Sequence, residues 1–387
     1  MSKMTLRRLE ANEHVKTRIL WEEVFPEDTK AFLDYYYYIK TRDNQIYVIE
    51  ADGDICSMLQ LNPYTVRVEE KEFPSAYIIA VATKEEYRRR GYMGALLRTS
   101  LNDMYASKIP FTFLMPAAEA IYTPYDFRFI YEQVIGEIVC GGDAADGRVN
   151  SGVSSDAGLW DAEEMAGFYE KHFARKYQVC TVRDSAYYQT MVMEQQSERG
   201  GVRLVRKDGT LIGMYAYAGE DGLEIREPLF LDGYEEAFYQ SVNELTKAAG
   251  LVQEETCVKV HACFPEAASE TKALIMARIV CLAELLSALK VPEHLSVDCS
   301  FAVIDTIITQ NSRVWKVTSS EGETGLHVRE TEDSEGVLPI AELTEILFGR
   351  CTLEEARGRE GVLMTERLAG ELKKITKLTK VCFNEIV

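Results

Sequence analysis

VATKEEYRRRGYMGALLRTSL, residues 81–101, decides how the first part of this chain folds. The overlapping segment AYIIAVAT, which ends at Thr83, is a short apolar run typical of a buried strand. After Gly91, apolar residues recur at the spacing of one helical face, namely at Met93, Leu96, Leu97, Leu101 and Met104. PFTFLMP then supplies the next strand. The order of strand, loop, glycine-started helix and second strand predicts an α/β layer.

Three adjacent arginines before Gly91 admit three interpretations: a nucleic-acid patch, a solvated charge run, or a seat for the phosphates of a small ligand. The chain has 62 acidic and 43 basic residues, and this excess disfavours nucleic acid as a partner and favours a cationic substrate. The first amides of a helix lack intrahelical partners, and a glycine lets phosphate oxygens approach them. The Walker and GxGxxG patterns are absent from the sequence, so neither a nucleoside triphosphate nor NAD is expected.

Three regions follow one another along the 387 residues. In the first, a helical pattern interrupted at Pro26 precedes a hairpin that turns at Asp52 and Gly53. Residues 141–158 are rich in glycine, serine and aspartate, which is typical of a linker. The middle region predicts a helix, then strands separated by Asp-Gly pairs, then further helices to about Lys290. The last region predicts strands around a turn at Gln310, followed by helices, which is a small α+β module.

Cellular context is indicated by three features of the sequence. The nine cysteines form no CxxC pair and are typical of thiols in a reducing compartment, and no cluster has metal-site spacing, so no metal site is predicted. The first fifteen residues lack an apolar signal core, and no apolar run reaches the ~18 residues of a membrane span. We therefore expect a cytoplasmic protein without a membrane partner.

A family resemblance rests on two motifs. Arg88-x-x-Gly91-x-x-Gly94, after a strand and opening a helix, resembles the acyl-CoA pyrophosphate loop of the GNAT superfamily of N-acetyltransferases. EAIYTPYDF resembles the Y-x-x-x-G-F segment of that superfamily. Together with VFPED, YRRRGYM and LMPA-x-E-x-IY, these motifs are similar to the enhanced intracellular survival (Eis) type of acetyltransferase.

The resemblance implies an architecture and a partner set. It implies an α+β and α/β chain with tandem GNAT-like domains, each a mixed central sheet flanked by helices, and a small sterol-carrier-like domain. The implied limits are residues 1–148, 149–284 and 285–387, the second domain being degenerate. It further implies acetyl-CoA as cosubstrate and a homo-oligomer, since members of the family often form hexamers.

Cofactor-binding residues follow from the same resemblance: Val81, Thr83, Arg88, Arg89, Arg90, Gly91, Tyr92, Met93 and Gly94. The backbone at Val81 and Thr83 is expected to hold the pantetheine arm and to polarise the thioester carbonyl group. The superfamily loop commonly has a small residue where this chain has Met93, and a bulky residue there resembles the Eis variant.

Catalytic residues are implied less directly. The general-acid tyrosine of Eis enzymes falls where this chain has Phe127, which has no proton to donate. The more usual acid of the superfamily corresponds to Tyr122, with Tyr125 as a second option. The resemblance points to the carboxylate on Val387 as the base, and the apolar tail KVCFNEIV suits a docked end.

Recognition of a cationic acceptor is assigned to three carboxylates. Glu385 would add negative charge beside the tail, and Asp34 lies beside four consecutive tyrosines, for which core packing is the other role. Glu119 either recognises an amine or complements a helix dipole. The function expected from the resemblance is acetyl transfer to an aminoglycoside-like, polyamine-like or lysine amine. The alternative is a binding protein, either an acyl-CoA sensor or a carrier of an apolar ligand.

Overall fold

The computed structural model describes residues 4–140, 152–219, 222–250, 256–264 and 268–385, which contain nineteen strands and eleven α-helices besides short 3-10 turns. The strands are β1 (Met4–Arg8), β2 (Gln45–Ala51), β3 (Asp54–Val68), β4 (Lys71–Thr83), β5 (Phe111–Leu114), β6 (Arg128–Cys140), β7 (Val153–Asp156), β8 (Val179–Thr181), β9 (Gly201–Lys207), β10 (Thr210–Ala218), β11 (Glu224–Phe230), β12 (Thr256–His261), β13 (Ala268–Ile279), β14 (Val297–Ile304), β15 (Val314–Ser319), β16 (His327–Thr331), β17 (Gly336–Pro339), β18 (Leu363–Met364) and β19 (Val381–Cys382). The helices are α1 (Arg18–Val24), α2 (Lys30–Tyr38), α3 (Tyr92–Ala106), α4 (Glu119–Tyr122), α5 (Ala162–His172), α6 (Ser185–Ser197), α7 (Glu235–Ala248), α8 (Leu282–Ala288), α9 (Ile340–Leu347), α10 (Leu353–Arg357) and α11 (Glu366–Lys374).

One mixed sheet joins the first and middle regions. Its order is β1-β2-β3-β4-β5-β13-β6-β12-β11-β10-β9-β7, and β8 extends it beside β3 and carries β19. Alternate residues of β2 face opposite cores: Ile46 and Val48 pack with α1 and α2, whereas Tyr47 and Ile49 pack with α3. The predicted mixed sheet flanked by helices is therefore confirmed.

The middle region repeats the strand pattern of the first. β4 and β5 are parallel and are connected through α3, and β11 and β12 are parallel and are connected through α7. The two connecting helices differ at their first turns, because α3 follows three arginines and Gly91 whereas α7 begins with Glu235 and Glu236. Carboxylates at that position oppose a bound anion, so only the first of these two units suits a phosphate ligand.

The last region is a five-stranded sheet, in the order β16-β15-β14-β17-β18, covered by α8 to α11. Its core continues into the first region, where Phe111 contacts Phe348 with ring centroids 5.7 Å apart. The predicted α+β module and its turn near Gln310 are confirmed. No helix in the described ranges combines the length and the apolar character needed to cross a bilayer.

Three expectations from the sequence need comment. The helices predicted up to Lys290 are wrong in part, because β12 and β13 lie between α7 and α8. Residues 141–158 are not all linker, since β7 lies within them and pairs with β9. The predicted domain limit near residue 148 lies outside the described residues, and the limit at residues 284 and 285 falls inside α8.

Candidate active site

The candidate site begins where β4 and β5 separate from one another, which we call the fork. The two strands share a single registered pair, Tyr77 with Phe113, and β5 ends one residue later. A bulge interrupts β4, where buried Ala80 has φ 49° and the register with β3 shifts. Beyond Tyr77, the edge of β4 that carries Val81 and Thr83 therefore diverges from β5. Unpaired strand backbone of this kind can bind an extended amide-containing chain.

The first turn of α3 lies at the open end of the fork. Gly91 is its N-cap, with φ 81° and ψ 10°, a left-handed conformation that favours glycine. Helix geometry leaves the amides of Tyr92, Met93 and Gly94 without intrahelical partners, so they form an anion-binding terminus. Arg89, with φ 60°, also has left-handed backbone, which curls the loop in front of these amides.

The three arginines of this loop are all exposed. Arg88 Nε donates to the Thr83 carbonyl oxygen at 3.2 Å, and Arg90 Nη2 donates to the Glu86 carbonyl oxygen at 2.8 Å. No carboxylate in the described part of the chain forms an ion pair with any of the three. Within the described residues their charge is therefore left without an ion-pair partner, which suits a ligand with several phosphate oxygens.

Tyr125 packs over the same turn. A Cβ atom added at Gly94 would lie 2.6 Å from the Tyr125 hydroxyl oxygen, so the missing side chain makes room for that hydroxyl. The Arg98 guanidinium lies 5.8 Å from the centroid of the Tyr125 ring. Arg278 Nε donates to the Tyr125 carbonyl oxygen at 2.9 Å and holds the residue from behind. The hydroxyl is thus fixed near the helix terminus.

Tyr122 lies at the end of α4 and is only 8% exposed. Its ring meets that of Phe127 edge to face, with centroids 5.9 Å apart, and Phe127 is fully buried. Burial raises the pKa of Tyr122 to about 12. Asp126 occupies the glycine position of the Y-x-x-x-G-F segment and adopts φ 66°, the left-handed conformation that glycine favours. The local backbone of the motif is therefore retained.

The tail of the chain is docked as far as it is described. β19 pairs in parallel with β8, and Phe383 stacks on Phe113 of β5 with ring centroids 4.5 Å apart. Asn384 accepts a hydrogen bond from the Tyr131 hydroxyl at 2.6 Å. The predicted docking of the apolar tail is therefore seen up to Glu385, whereas Val387 lies outside the described residues.

Glu385 is 4% exposed and is held by the middle region. Its Oε1 accepts hydrogen bonds from Thr181 and from the Tyr187 hydroxyl, the latter at 3.1 Å, and lies 3.7 Å from Arg183 Nη2. Its Oε2 is buried without a hydrogen-bond partner in the described structure. Burial raises the pKa of the Glu385 carboxyl group.

Glu385 is one of the residues that line a cavity of about 710 Å³, which we call the central cavity. Its walls come from the segment that follows α2, from β3 and β4, from α6, from β9, β10 and β11, and from the tail. Tyr64 in its wall meets Tyr77 edge to face at 6.4 Å, and the Tyr77 hydroxyl accepts a hydrogen bond from the Met115 backbone at the end of β5. Tyr77, which forms the single registered pair with β5, therefore connects the wall of the central cavity to the base of the fork.

Comparison with known proteins agrees with this geometry. Residues 5–130 match the family described as acetyltransferase (GNAT) domain, and residues 282–383 match the family described as sterol carrier protein domain. The chain carries a GNAT acetyltransferase domain followed by a sterol carrier protein domain. The resemblance stated from the sequence is confirmed for these two domains. No curated protein sequence matches the chain significantly.

Three solved structures share the fold of nearly the whole chain. A probable N-acyltransferase from Enterococcus faecalis V583 is 18% identical with a TM-score of 0.81, covering 97% of this chain and 98% of the other. A GCN5-related N-acetyltransferase from Anabaena variabilis is 17% identical, with a TM-score of 0.76 and 98% of both chains covered. Eis1 from Mycobacterium abscessus is 14% identical, with a TM-score of 0.68 and 98% of both chains covered.

Two other predicted acceptor residues lie away from the central cavity. Asp34 of the GNAT domain accepts hydrogen bonds from Arg18 Nη1 at 2.7 Å and Lys30 Nζ at 2.6 Å, so its charge is already compensated. Glu119 is exposed in the first turn of α4. Of the four tyrosines beside Asp34, only the last is exposed and the other three pack in the core. The structure therefore shows core packing, the other role expected for these tyrosines, for three of the four.

The residues that sequence reasoning missed are those contributed by the middle region. Arg183 is fully buried and forms a bidentate ion pair with Glu227, at 2.6 and 3.0 Å. Glu227 has a left-handed φ of 47° and also accepts a hydrogen bond from Asn384 at 2.7 Å. A lone arginine and a lone glutamate 44 positions apart carry no motif, so only their folded neighbourhood identifies them.

Proposed function

We propose that the protein is an N-acetyltransferase that transfers the acetyl group of acetyl-CoA to a primary amine of a cationic acceptor in a ternary complex. The observation that carries the proposal is the arginine-flanked terminus of α3 at the mouth of the β4–β5 fork. Its unpaired amides suit a pyrophosphate, and the diverging edge of β4 suits the amide-containing pantetheine arm. When bound, acetyl-CoA supplies an activated thioester.

The cofactor roles follow from position. The amides of Tyr92, Met93 and Gly94 bind phosphate oxygens, and Arg88, Arg89 and Arg90 add charge-assisted hydrogen bonds. Each such bond contributes roughly 1.5 to 3 kcal/mol. Gly91 sets the backbone that aims these groups. The backbone at Val81 and Thr83 binds the pantetheine arm and orients the thioester carbonyl group.

Tyr122 is the proposed general acid. As the amine nitrogen attacks the carbonyl carbon, a C–N bond forms and the C–S bond breaks, and the departing thiolate takes the Tyr122 proton. Since burial holds the Tyr122 pKa at about 12, the hydroxyl is protonated throughout the physiological range. Tyr125 is the second candidate, but its hydroxyl is fixed over α3, which suits a contact with the cofactor better.

The attacking amine must also lose a proton. A primary amine with a pKa near 10.4 is neutral in only about one molecule in a few thousand at pH 7, so a base is needed. The proposed base is the carboxylate of Val387, and Glu385 would hold the ammonium form of the acceptor beside it. Asp34 and Glu119 stay predictions for acceptor binding, and neither lines the central cavity.

Tyr122→Phe, measured with acetyl-CoA and a panel of amines, tests the proposal. We expect acetyl-CoA affinity within about twofold of the unmodified protein and a fall in kcat of about 10² to 10⁴-fold. Tyr125→Phe is the matched control and is expected to change KM for acetyl-CoA more than kcat. A protein that binds acetyl-CoA but releases no CoA with any amine would instead be a sensor, which is the competing function.

A further inference from the structure

One charged side chain lies in the apolar core around Tyr122. Arg278 of β13 is fully buried, and Met276 and Val280, two positions before and after it, pack in the same core as Tyr122. Because alternate residues of a strand face the same side, the Arg278 side chain points into that core. A buried guanidinium group is costly unless it is paired and hydrogen-bonded, so its partners indicate its role.

On one side, the guanidinium group of Arg278 holds the turn that follows Tyr122. Its Nε donates to the Tyr125 carbonyl oxygen at 2.9 Å, and its Nη2 lies 3.4 Å from Asp126 Oδ2. Asp126 stands where the Y-x-x-x-G-F segment has glycine, and its φ of 66° is unfavourable for a residue with a side chain. The two contacts with Arg278 therefore stabilise the turn that joins Tyr122 to Phe127.

On the other side, the same guanidinium group is bound by the sterol carrier protein domain. Nη2 of Arg278 donates to Asp305 Oδ1 at 2.6 Å, and Asp305 lies in the loop that follows β14. The same Oδ1 accepts from the backbone amides of Ile307 and Ile308, at 2.9 and 2.8 Å, and Oδ2 accepts from Asn311 Nδ2 at 3.0 Å. Three donors of its own domain therefore fix the Asp305 carboxylate in place beside Arg278.

The loop at residues 305–311 also contacts the candidate site through apolar groups. Ile307 and Ile308 pack in the same core as Tyr122 and Phe127. Asn102 of α3 donates from Nδ2 to the Ile307 carbonyl oxygen at 3.3 Å. The sterol carrier protein domain thus touches both the helix that begins at the arginine loop and the core that surrounds Tyr122.

We propose that Arg278 is a positioning residue for Tyr122 and that Asp305 anchors it, so that the sterol carrier protein domain fixes the geometry of the acetyl-transfer site. Arg278 acts through the Tyr125 carbonyl group and Asp126 and not on the reacting atoms. This inference rests on the proposed function, because its effect on transfer requires Tyr122 to be the acid. A displacement of about 1 Å in a catalytic group can lower a rate roughly a hundredfold.

Paired substitutions separate positioning from stability. Arg278→Met leaves the Asp305 carboxylate buried without its cation, and Asp305→Asn removes the nearest carboxylate from Arg278, so each single variant should lower the melting temperature by roughly 5 to 15 °C. The double variant buries neither charge of this pair and should recover most of that loss. The control is Arg367→Met with Glu335→Gln, which removes a more exposed ion pair of the same domain and should leave the melting temperature and kcat almost unchanged.

Two measurements on the double variant test the inference. Hydrogen–deuterium exchange of the peptide that covers residues 119–130 reports on the turn, because the Asp126 and Phe127 amides donate within it, to the carbonyl oxygens of Thr123 and Tyr122. We expect this exchange to speed by at least about tenfold, and kcat to fall by about tenfold to a hundredfold, although the melting temperature has recovered. If the double variant does not fold, Asp305→Asn alone is measured in the same way and should show the same local change.

The outcomes distinguish this inference from the proposed function. A kcat that recovers together with the melting temperature would mean that the pair serves stability alone, and it overturns the inference. Unchanged exchange in the peptide at residues 119–130 overturns it as well, whether or not the unmodified protein acetylates an amine. If exchange speeds as expected but the unmodified protein acetylates no amine, Arg278 does hold the turn and the proposed function fails.

Discussion

Substitutions at Gly94 and Tyr125 are expected to be coupled in their effect on the stability of α3, and the structure predicts the sign of that coupling. In Gly94→Ala the new Cβ would lie 2.6 Å from the Tyr125 hydroxyl oxygen, so that the hydroxyl must retreat by about 1 Å to reach an ordinary contact. The retreat is opposed by the bond from Arg278 to the Tyr125 carbonyl oxygen. Overpacking of this kind costs about 1 to 3 kcal/mol. An alanine in place of a helical glycine stabilises the helix by about 0.5 to 1 kcal/mol, which is less than the overpacking cost, so the single substitution destabilises α3 on balance.

In the Tyr125→Phe background the sign reverses. Removing the hydroxyl leaves Tyr125 Cε1, at 3.4 Å, as the nearest ring atom, which is an ordinary contact distance. Gly94→Ala should then stabilise the first turn of α3 by about 0.5 to 1 kcal/mol. The coupling energy between the two substitutions is therefore expected to be about 1 to 3 kcal/mol.

Hydrogen–deuterium exchange of the peptide that covers α3 measures this without assuming two-state unfolding of the whole chain. Gly94→Ala alone should speed exchange by roughly twofold to thirtyfold, and in the Tyr125→Phe background it should slow exchange. Equal effects in the two backgrounds would refute the reasoning, since they would mean that the hydroxyl does not occupy the space above Gly94.

Three further outcomes are expected. Because the Tyr122 pKa is about 12, the transfer rate should show no falling limb up to about pH 10, and a limb near pH 9 would exclude Tyr122 as the acid. Gly91→Ala leaves room for the new Cβ but strains a backbone with φ 81° by roughly 1 to 2 kcal/mol. Calorimetry should therefore show acetyl-CoA binding weakened about five- to thirtyfold. The control Gly209→Ala, with φ 79° in a distant hairpin turn, should leave acetyl-CoA binding unchanged. Burial raises the Glu385 pKa in the folded state, so the ionised carboxylate lowers the stability of the protein above that pKa. At about pH 8 the Glu385→Gln variant should therefore have a higher melting temperature than the unmodified protein. A difference in melting temperature that persisted at about pH 4 would contradict this.

Much of the fold could be predicted because its signals are local. The hairpin at Asp52 and Gly53 needs only the two residues that adopt positive φ, at 54° and 96°. The start of α3 needs only Gly91 and the apolar face that follows. β13 gave no such signal, because its first six residues are exposed and its last six are buried. Without the alternation of a half-buried strand, its apolar end cannot be told from a buried helix.

The candidate site divides along the same line. The loop at Arg88 to Gly94 and the segment at Tyr122 are contiguous motifs, and Tyr122 packs in the same apolar core as Tyr92 of α3 and Leu114 of β5. The central cavity is assembled from Tyr64, Tyr187 and Glu385, which are more than a hundred positions apart in sequence. Contacts of that range depend on sheet order and tail docking, so no local pattern announces them.

The middle region repeats the strand pattern of the first region, but the first turn of its connecting helix is negatively charged, which is unfavourable for binding a pyrophosphate. Glu235 and Glu236 stand at the first turn of α7, where a pyrophosphate would need amides and cations. The same region supplies Arg183, which pairs with Glu227 and lies 3.7 Å from Glu385. A buried arginine in this position holds the tail against the cavity wall, and leaving either carboxylate without it would be strongly destabilising. Under the proposed function, the middle region therefore contributes to the acceptor side of the site and not to cofactor binding.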